Sequence, residues 1–234
     1  ASLLVRPTDN FDITLTGIYQ HSHFGEYYQV TDHYPDLIID EAEPEPFTDR
    51  YTIGSLKVNY DFGPAKLTSV TAYFDRRRNF LNDIDYFTGF LGVPQAYSPL
   101  TYTSHTFTQE VRLASQGERR FSWVVGSFFE DRRETALQTV SAAGGPVPPP
   151  SGQLAYISRF TNSRQYAAFG EANYKITPKL TFTAGVRASL VDGDNTSVND
   201  GLLFGGRTTK TGTSRDTPVN PRFILSYRPD DNAQ

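Results

Sequence analysis

Cysteine and methionine are both absent from the 234 residues. Without cysteine there is neither a disulfide framework nor a thiolate metal site. Without methionine the chain does not begin at a translation start, and Ala1 to Asp9 lack the basic start and apolar core of a secretory signal. The chain therefore reads as a processed product or an internal section. No run of about 18 apolar residues occurs, which rules out a transmembrane helix. The excess of one sign of charge is also small. The formal net charge is −4, and the longest basic run is Arg76, Arg77 and Arg78, so nothing suggests a nucleic-acid footprint. There is no Gly-x-Ser-x-Gly elbow, no phosphate-cradling glycine loop and no His-Glu-x-x-His pair, so the expectation is a protein that is not an enzyme and carries no cofactor.

What the sequence has in quantity is period-2 alternation. Mean hydropathy, −0.46, is a poor witness here, because in a membrane barrel lipid-facing and lumen-facing residues alternate and cancel in any window. Segments of about ten residues, the length of a tilted membrane strand, recur at 11–20, 51–61, 65–76, 105–114, 121–132, 165–176, 180–191 and 218–228. In the clearest, Tyr166, Ala168, Gly170, Ala172 and Tyr174 share one face, opposite Gln165, Glu171, Asn173 and Lys175.

The connections point to the architecture. Short ones, rich in turn formers, fall at Thr8-Asp9-Asn10, Gly63-Pro64, Gln116-Gly117-Glu118 and Thr177-Pro178. Between them lie long ones at 21–50, 77–104, 133–164 and 192–217. Four such loops do not suit a compact soluble domain. Outer-membrane barrels combine short periplasmic turns with long extracellular loops. Aromatic residues bracket the apolar band, with Phe11, Tyr60, Phe121, Trp123, Tyr174 and Tyr227 near the short turns and Tyr19, Phe74, Phe107, Phe129 and Tyr166 near the long loops. Two such girdles mark the two membrane–water interfaces.

Three stretches resemble TonB-dependent outer-membrane receptors. They are Phe107-Thr-Gln-Glu-Val-Arg-Leu-Ala-Ser115 followed by Phe121-Ser-Trp-Val-Val-Gly126; Tyr166-Ala-Ala-Phe-Gly-Glu-Ala-Asn-Tyr174 running into Leu180-Thr-Phe-Thr-Ala-Gly-Val-Arg187; and Pro221-Arg-Phe-Ile-Leu-Ser-Tyr-Arg-Pro229. The resemblance implies an all-β, antiparallel transmembrane meander of about eight strands, a central part of a 22-stranded type of barrel, with no plug domain in residues 1–234. It implies uptake of a scarce nutrient such as a siderophore, cobalamin or carbohydrate across the outer membrane of a Gram-negative bacterium. The implied partners are outer-membrane lipid, a plug and the remaining barrel strands, a TonB-type energy-coupling protein reached through the plug, and a small-molecule ligand. The rival readings are a passive porin-like channel and a soluble β-sandwich or adhesion module, whose apolar faces would pack together instead of facing lipid.

Candidate ligand-binding residues follow from strand parity and loop composition. Glu110 and Arg112 lie two apart, opposite Phe107, Val111 and Leu113, and so face the lumen; Glu171, Arg187 and Arg222 sit on polar faces by the same argument. The simpler account is that any wide barrel has a polar wall. The first long loop adds His21, His23, Tyr27 and Tyr28, with His33 and several carboxylates nearby, but its spacing fits no closed metal motif. The Gly-Gly-Pro-Val-Pro-Pro-Pro stretch at 144–150 reads as a stiff polyproline segment shaping a loop tip.

Overall fold

In the computed structural model, residues 1–25, 44–84, 95–117, 119–143 and 153–229 are described. They form ten strands: β1 (Ser2–Thr8), β2 (Phe11–Phe24), β3 (Phe47–Asp61), β4 (Ala65–Asp83), β5 (Gln95–Ser115), β6 (Phe121–Ala143), β7 (Gln153–Thr177), β8 (Leu180–Asp200), β9 (Thr208–Asp216) and β10 (Val219–Tyr227). One antiparallel sheet runs in chain order from β1 to β8 and ends on β10, with β9 also paired to β8. Together β9 and β10 follow the whole of β8: Thr208–Asp216 pairs with its upper half and Val219–Tyr227 with its lower half. The break falls at Thr217-Pro218, where proline has no N–H to give a ladder. The sheet is a meander and is not closed; among the described residues β1 and β10 do not pair with each other.

Eight strand segments are where the alternation placed them. Two strands come in addition. In β1, Arg6-Pro7 disrupts the pattern at a bulge between Val5 and Thr8, the kind of position at which a sheet tolerates proline. The other is β9, from within the expected loop 192–217. The remaining expected loops also shrink, because strands continue into them: β4 reaches Asp83, β5 begins at Gln95, β6 reaches Ala143 and β7 begins at Gln153. Alternation fades there because a strand standing above the bilayer has water on both faces. The turns are tight at one end of the sheet, at 9–10, 62–64 and 178–179, with Gly63 at φ 89° and Gly117 at φ 82° where a side chain would be strained. At the other end the connections are longer. The 144–150 stretch lies outside the described residues.

Cross-strand register sorts every side chain onto one of two faces. Partners such as Leu15–Leu56, Leu67–Leu113, Ala172–Ala184 and Phe182–Leu225 carry one continuous apolar face from β1 to β10. Its side chains are open: Leu15, Val125, Val186 and Phe223 are 48%, 48%, 49% and 71% exposed. A sheet whose apolar side is uncovered over this width is one that faces lipid. Gln109, Ser69 and Thr71 lie on this face and satisfy one another: Gln109 Nε2 donates to Ser69 Oγ at 2.9 Å and accepts from Thr71. The buried hydrophobic cluster, Ala96, Val140, Leu154 and Ala155, sits at the tip of the long β5–β6–β7 extensions.

The register corrects two assignments. Phe74 pairs with Ile53 and Thr106 on the polar face, and Tyr73, paired with Phe107, takes its place in the outer girdle. Asp75, which the alternation over 65–76 is expected to put on the lumen side, faces outward beside His105, with an Oδ2–Nδ1 distance of 2.6 Å.

Candidate lumen-wall site

The face opposite the apolar band is a polar wall. Near the tight turns it is knit by short contacts between neighbouring strands. Asn59 donates to Asp12 at 2.7 Å and accepts from Thr68 at 2.8 Å, and Thr183 donates to Asn173 at 2.6 Å. Glu110, Arg112, Glu171, Arg187 and Arg222 all lie on this wall. Arg112 and Glu110 are 3.7 Å apart, and Arg222 reaches Glu171 at 3.3 Å.

Arg187 belongs to a different grouping. Its guanidinium lies over the Phe128 ring at 5.2 Å and the Phe169 ring at 5.8 Å. Gly126 makes this possible. It pairs with Phe169, and a Cβ at position 126 would meet Phe169 Cζ at 2.5 Å and the Val111 carbonyl at 2.7 Å. Arg187 is thus held by aromatic rings, with no carboxylate within ion-pair distance among the described residues.

Higher on the wall, in the strand extensions, is a cluster that sequence reasoning missed. Asp49 and Arg76 form a two-point pair at 2.9 and 2.5 Å. This hydrogen bonding holds the Asp49 carboxyl below the usual carboxylate range, against the opposing effect of burial. Tyr51 donates to Gln20 at 2.5 Å. Arg78 stacks on Tyr102 at 4.6 Å, and its Nε has no hydrogen-bond partner among the described residues. Burial, then hydrogen bonding to Glu134, pushes the Tyr102 hydroxyl above its usual pKa. The Arg76-Arg77-Arg78 run held the signal: in a strand its outer members share a face and the middle one does not. The assumption of a loop hid it.

His21 and His23 lie on β2, paired with Arg50 and Thr48, on the same side as Tyr19 and so away from the lumen wall. Tyr27 and Tyr28 lie outside the described residues. No group of three or more potential metal ligands occurs among the described residues.

The profile of the family described as TonB dependent receptor-like, beta-barrel matches residues 3–234. Among solved structures, the ferric yersiniabactin uptake receptor FyuA from Yersinia pestis superimposes with a TM-score of 0.79 at 14% identity, over 98% of this chain and 34% of that one. The siderophore receptor PiuA from Acinetobacter baumannii gives 0.69 at 12% identity, over 99% and 39%. The ferric-catecholate import receptor Fiu from E. coli K12, in its open form, gives 0.67 at 10% identity, over 99% and 44%. The chain thus spans well under half the length of these structures. No curated protein matches it.

Proposed function

Because the chain belongs to the TonB-dependent receptor family as part of its β-barrel, we propose that it serves ligand-specific uptake across a Gram-negative outer membrane. The single observation that carries this reading is the asymmetry of the two faces. One is apolar, open and girdled by aromatics. The other is polar and, above the membrane, carries the Arg78–Tyr102 stack, in which the buried Arg78 Nε has no hydrogen-bond partner among the described residues. A planar cation seated on a phenol ring can pair with an anionic group while the ring packs against a flat or apolar portion of the same molecule. FyuA and Fiu are by their titles receptors for ferric yersiniabactin and ferric catecholates, and an anionic metal chelate is the ligand class this wall suits best. Lower on the wall, Glu110, Arg112, Glu171, Arg187 and Arg222 serve as contacts for a plug domain filling the lumen, and energy reaches that plug from a TonB-type protein. The role is carriage, with no bond made or broken in the ligand.

The test uses the full receptor in cells lacking other iron-uptake receptors, supplied with iron-labelled ferric citrate or a ferric catecholate. Accumulation should depend on the receptor and stop on addition of a proton uncoupler. Arg78→Gln should weaken ligand binding to the purified receptor by about tenfold, the loss of one charge-assisted contact. Solute flux indifferent to the uncoupler would overturn active uptake in favour of a passive channel.

A further inference from the structure

On the outward face, a belt of charge runs one step above the aromatic girdle. From His105 on β5 to Arg215 on β9 its basic side chains are matched by carboxylates. His105 pairs with Asp75 at 2.6 Å, Arg133 and Arg164 with Asp131 at 3.1 and 3.5 Å, and Arg215 with Asp192 at 3.5 Å. The β2–β4 section departs from this. There His21 stands opposite Arg50, and Arg50 stands opposite Arg77, in one cross-strand row. All three side chains are exposed, and among the described residues no carboxylate comes within ion-pair distance of either arginine. Like charges directly opposite one another on antiparallel strands are destabilising. Here they border a depression of about 240 Å³, walled by Tyr19 below and by Thr48 and Asn79 above. Asn79 is fixed there, donating to Thr48 at 3.1 Å and accepting from Thr101 at 3.0 Å.

We propose that the His21–Arg50–Arg77 row is a binding site for the phosphate groups of the glycolipid forming the outer leaflet. The assignment rests on the membrane reading of the apolar face. Three features commit the site to this occupant. It lies outside the barrel wall, where a transported ligand does not pass. It lies one strand step, about 7 Å, above an interfacial tyrosine, which is headgroup height. Its opposed guanidinium groups need an anion with several oxygens between them, and phosphate offers that geometry to arginine. The lipid chains then lie down the apolar face below Tyr19.

The experiment takes the full receptor into vesicles containing the bis-phosphorylated lipid or the same lipid with its phosphates removed, and counts lipid retained after detergent extraction by native mass spectrometry. The wild type should retain the phosphorylated lipid preferentially. R50Q/R77Q should retain about tenfold less, R50K/R77K should keep part of the binding, and R133Q/R164Q, whose arginines already have a carboxylate, should match the wild type. Equal retention by R50Q/R77Q, equal retention of the phosphate-free lipid, or an equal loss in R133Q/R164Q would overturn the proposal. Complete displacement of the lipid by millimolar inorganic phosphate would also overturn it, since the site would then be one for the free ion. If R50Q/R77Q fails to fold, the comparison between the two lipids on the wild type decides alone. Failure of the wild type to enter vesicles would count against the membrane reading itself and is seen before any variant is compared.

Discussion

Single residues report the two-faced character of the sheet most directly. Val124 and Val125 are neighbours of equal hydropathy on opposite faces: Val125 pairs with Leu113 and Gly170 in the apolar band, and Val124 pairs with Glu171 on the polar wall. Val125→Arg should destabilise the folded receptor by about 2–4 kcal/mol, the cost of a charge near the lipid midplane. Val124→Arg should cost much less, because it meets water and a carboxylate. Urea midpoints in liposomes measure both, and equal losses would refute the assigned faces. Asp49, above the membrane, gives a pH test. Its carboxyl is held low by Arg76, so the stabilisation is complete above the normal carboxylate range and is lost as pH falls through the lowered value. The stability gap between wild type and Asp49→Asn should be constant from neutral pH to mildly acidic pH and should close only in strong acid. A gap that closes near neutrality would contradict the pair.

At the scale of the element, alternation made the membrane-spanning part of each strand legible, because lipid on one side and water on the other impose opposite demands on neighbouring residues. Above the membrane that constraint disappears. Thr101, Tyr102, Thr103 and Ser104 on β5, and Glu134 on β6, read as loop although they are strand. The candidate site suffered most from this, since Arg78, Tyr102 and Glu134 all lie in the extensions. Parity also slipped where two aromatics adjoin: Tyr73 and Phe74 fit a girdle equally well by composition, and only pairing with Phe107 separates them. Parity also put Glu110, Arg112, Glu171, Arg187 and Arg222 on one face, and the register has them together on the polar side of the sheet. The β6–β7 contact supplies a prediction of its own. Gly126→Ala forces its Cβ against Phe169 and the Val111 carbonyl, so it should cost about 1–3 kcal/mol by overpacking. The same change should displace the ring under Arg187. An unchanged urea midpoint would show that Phe169 does not occupy that space.

The molecule as a whole is an open wall. Its lumen side carries Lys57, Arg112, Glu171, Arg187 and Arg222, long charged groups too many for the filled interior of an eight-stranded barrel. Open edges leave backbone groups that lipid cannot satisfy. Expressed alone, residues 1–234 should therefore aggregate and should not yield a heat-resistant monomer on a gel; such a monomer would show that these strands can close on themselves. In the full receptor, a cysteine at Leu203, in the 3-10 turn Leu202–Phe204, should react with an impermeant label on intact cells, whereas one at Gly117 should not. The reverse pattern would invert the topology.

The length of the longest hairpin has a consequence beyond transport. Strand β7 runs for 25 residues, about 80 Å along its own direction at about 3.3 Å per residue. Even tilted by about 40°, it rises about 60 Å, roughly twice the height of the hydrocarbon layer. The upper halves of β6 and β7 therefore stand clear of the bilayer as a ribbon, with the small buried cluster shared with Ala96 of β5 at its tip. An antibody, a phage fibre or a protease arriving from the side of the long connections can reach this ribbon without entering the lumen. The hairpin is thereby an epitope as well as a part of the wall.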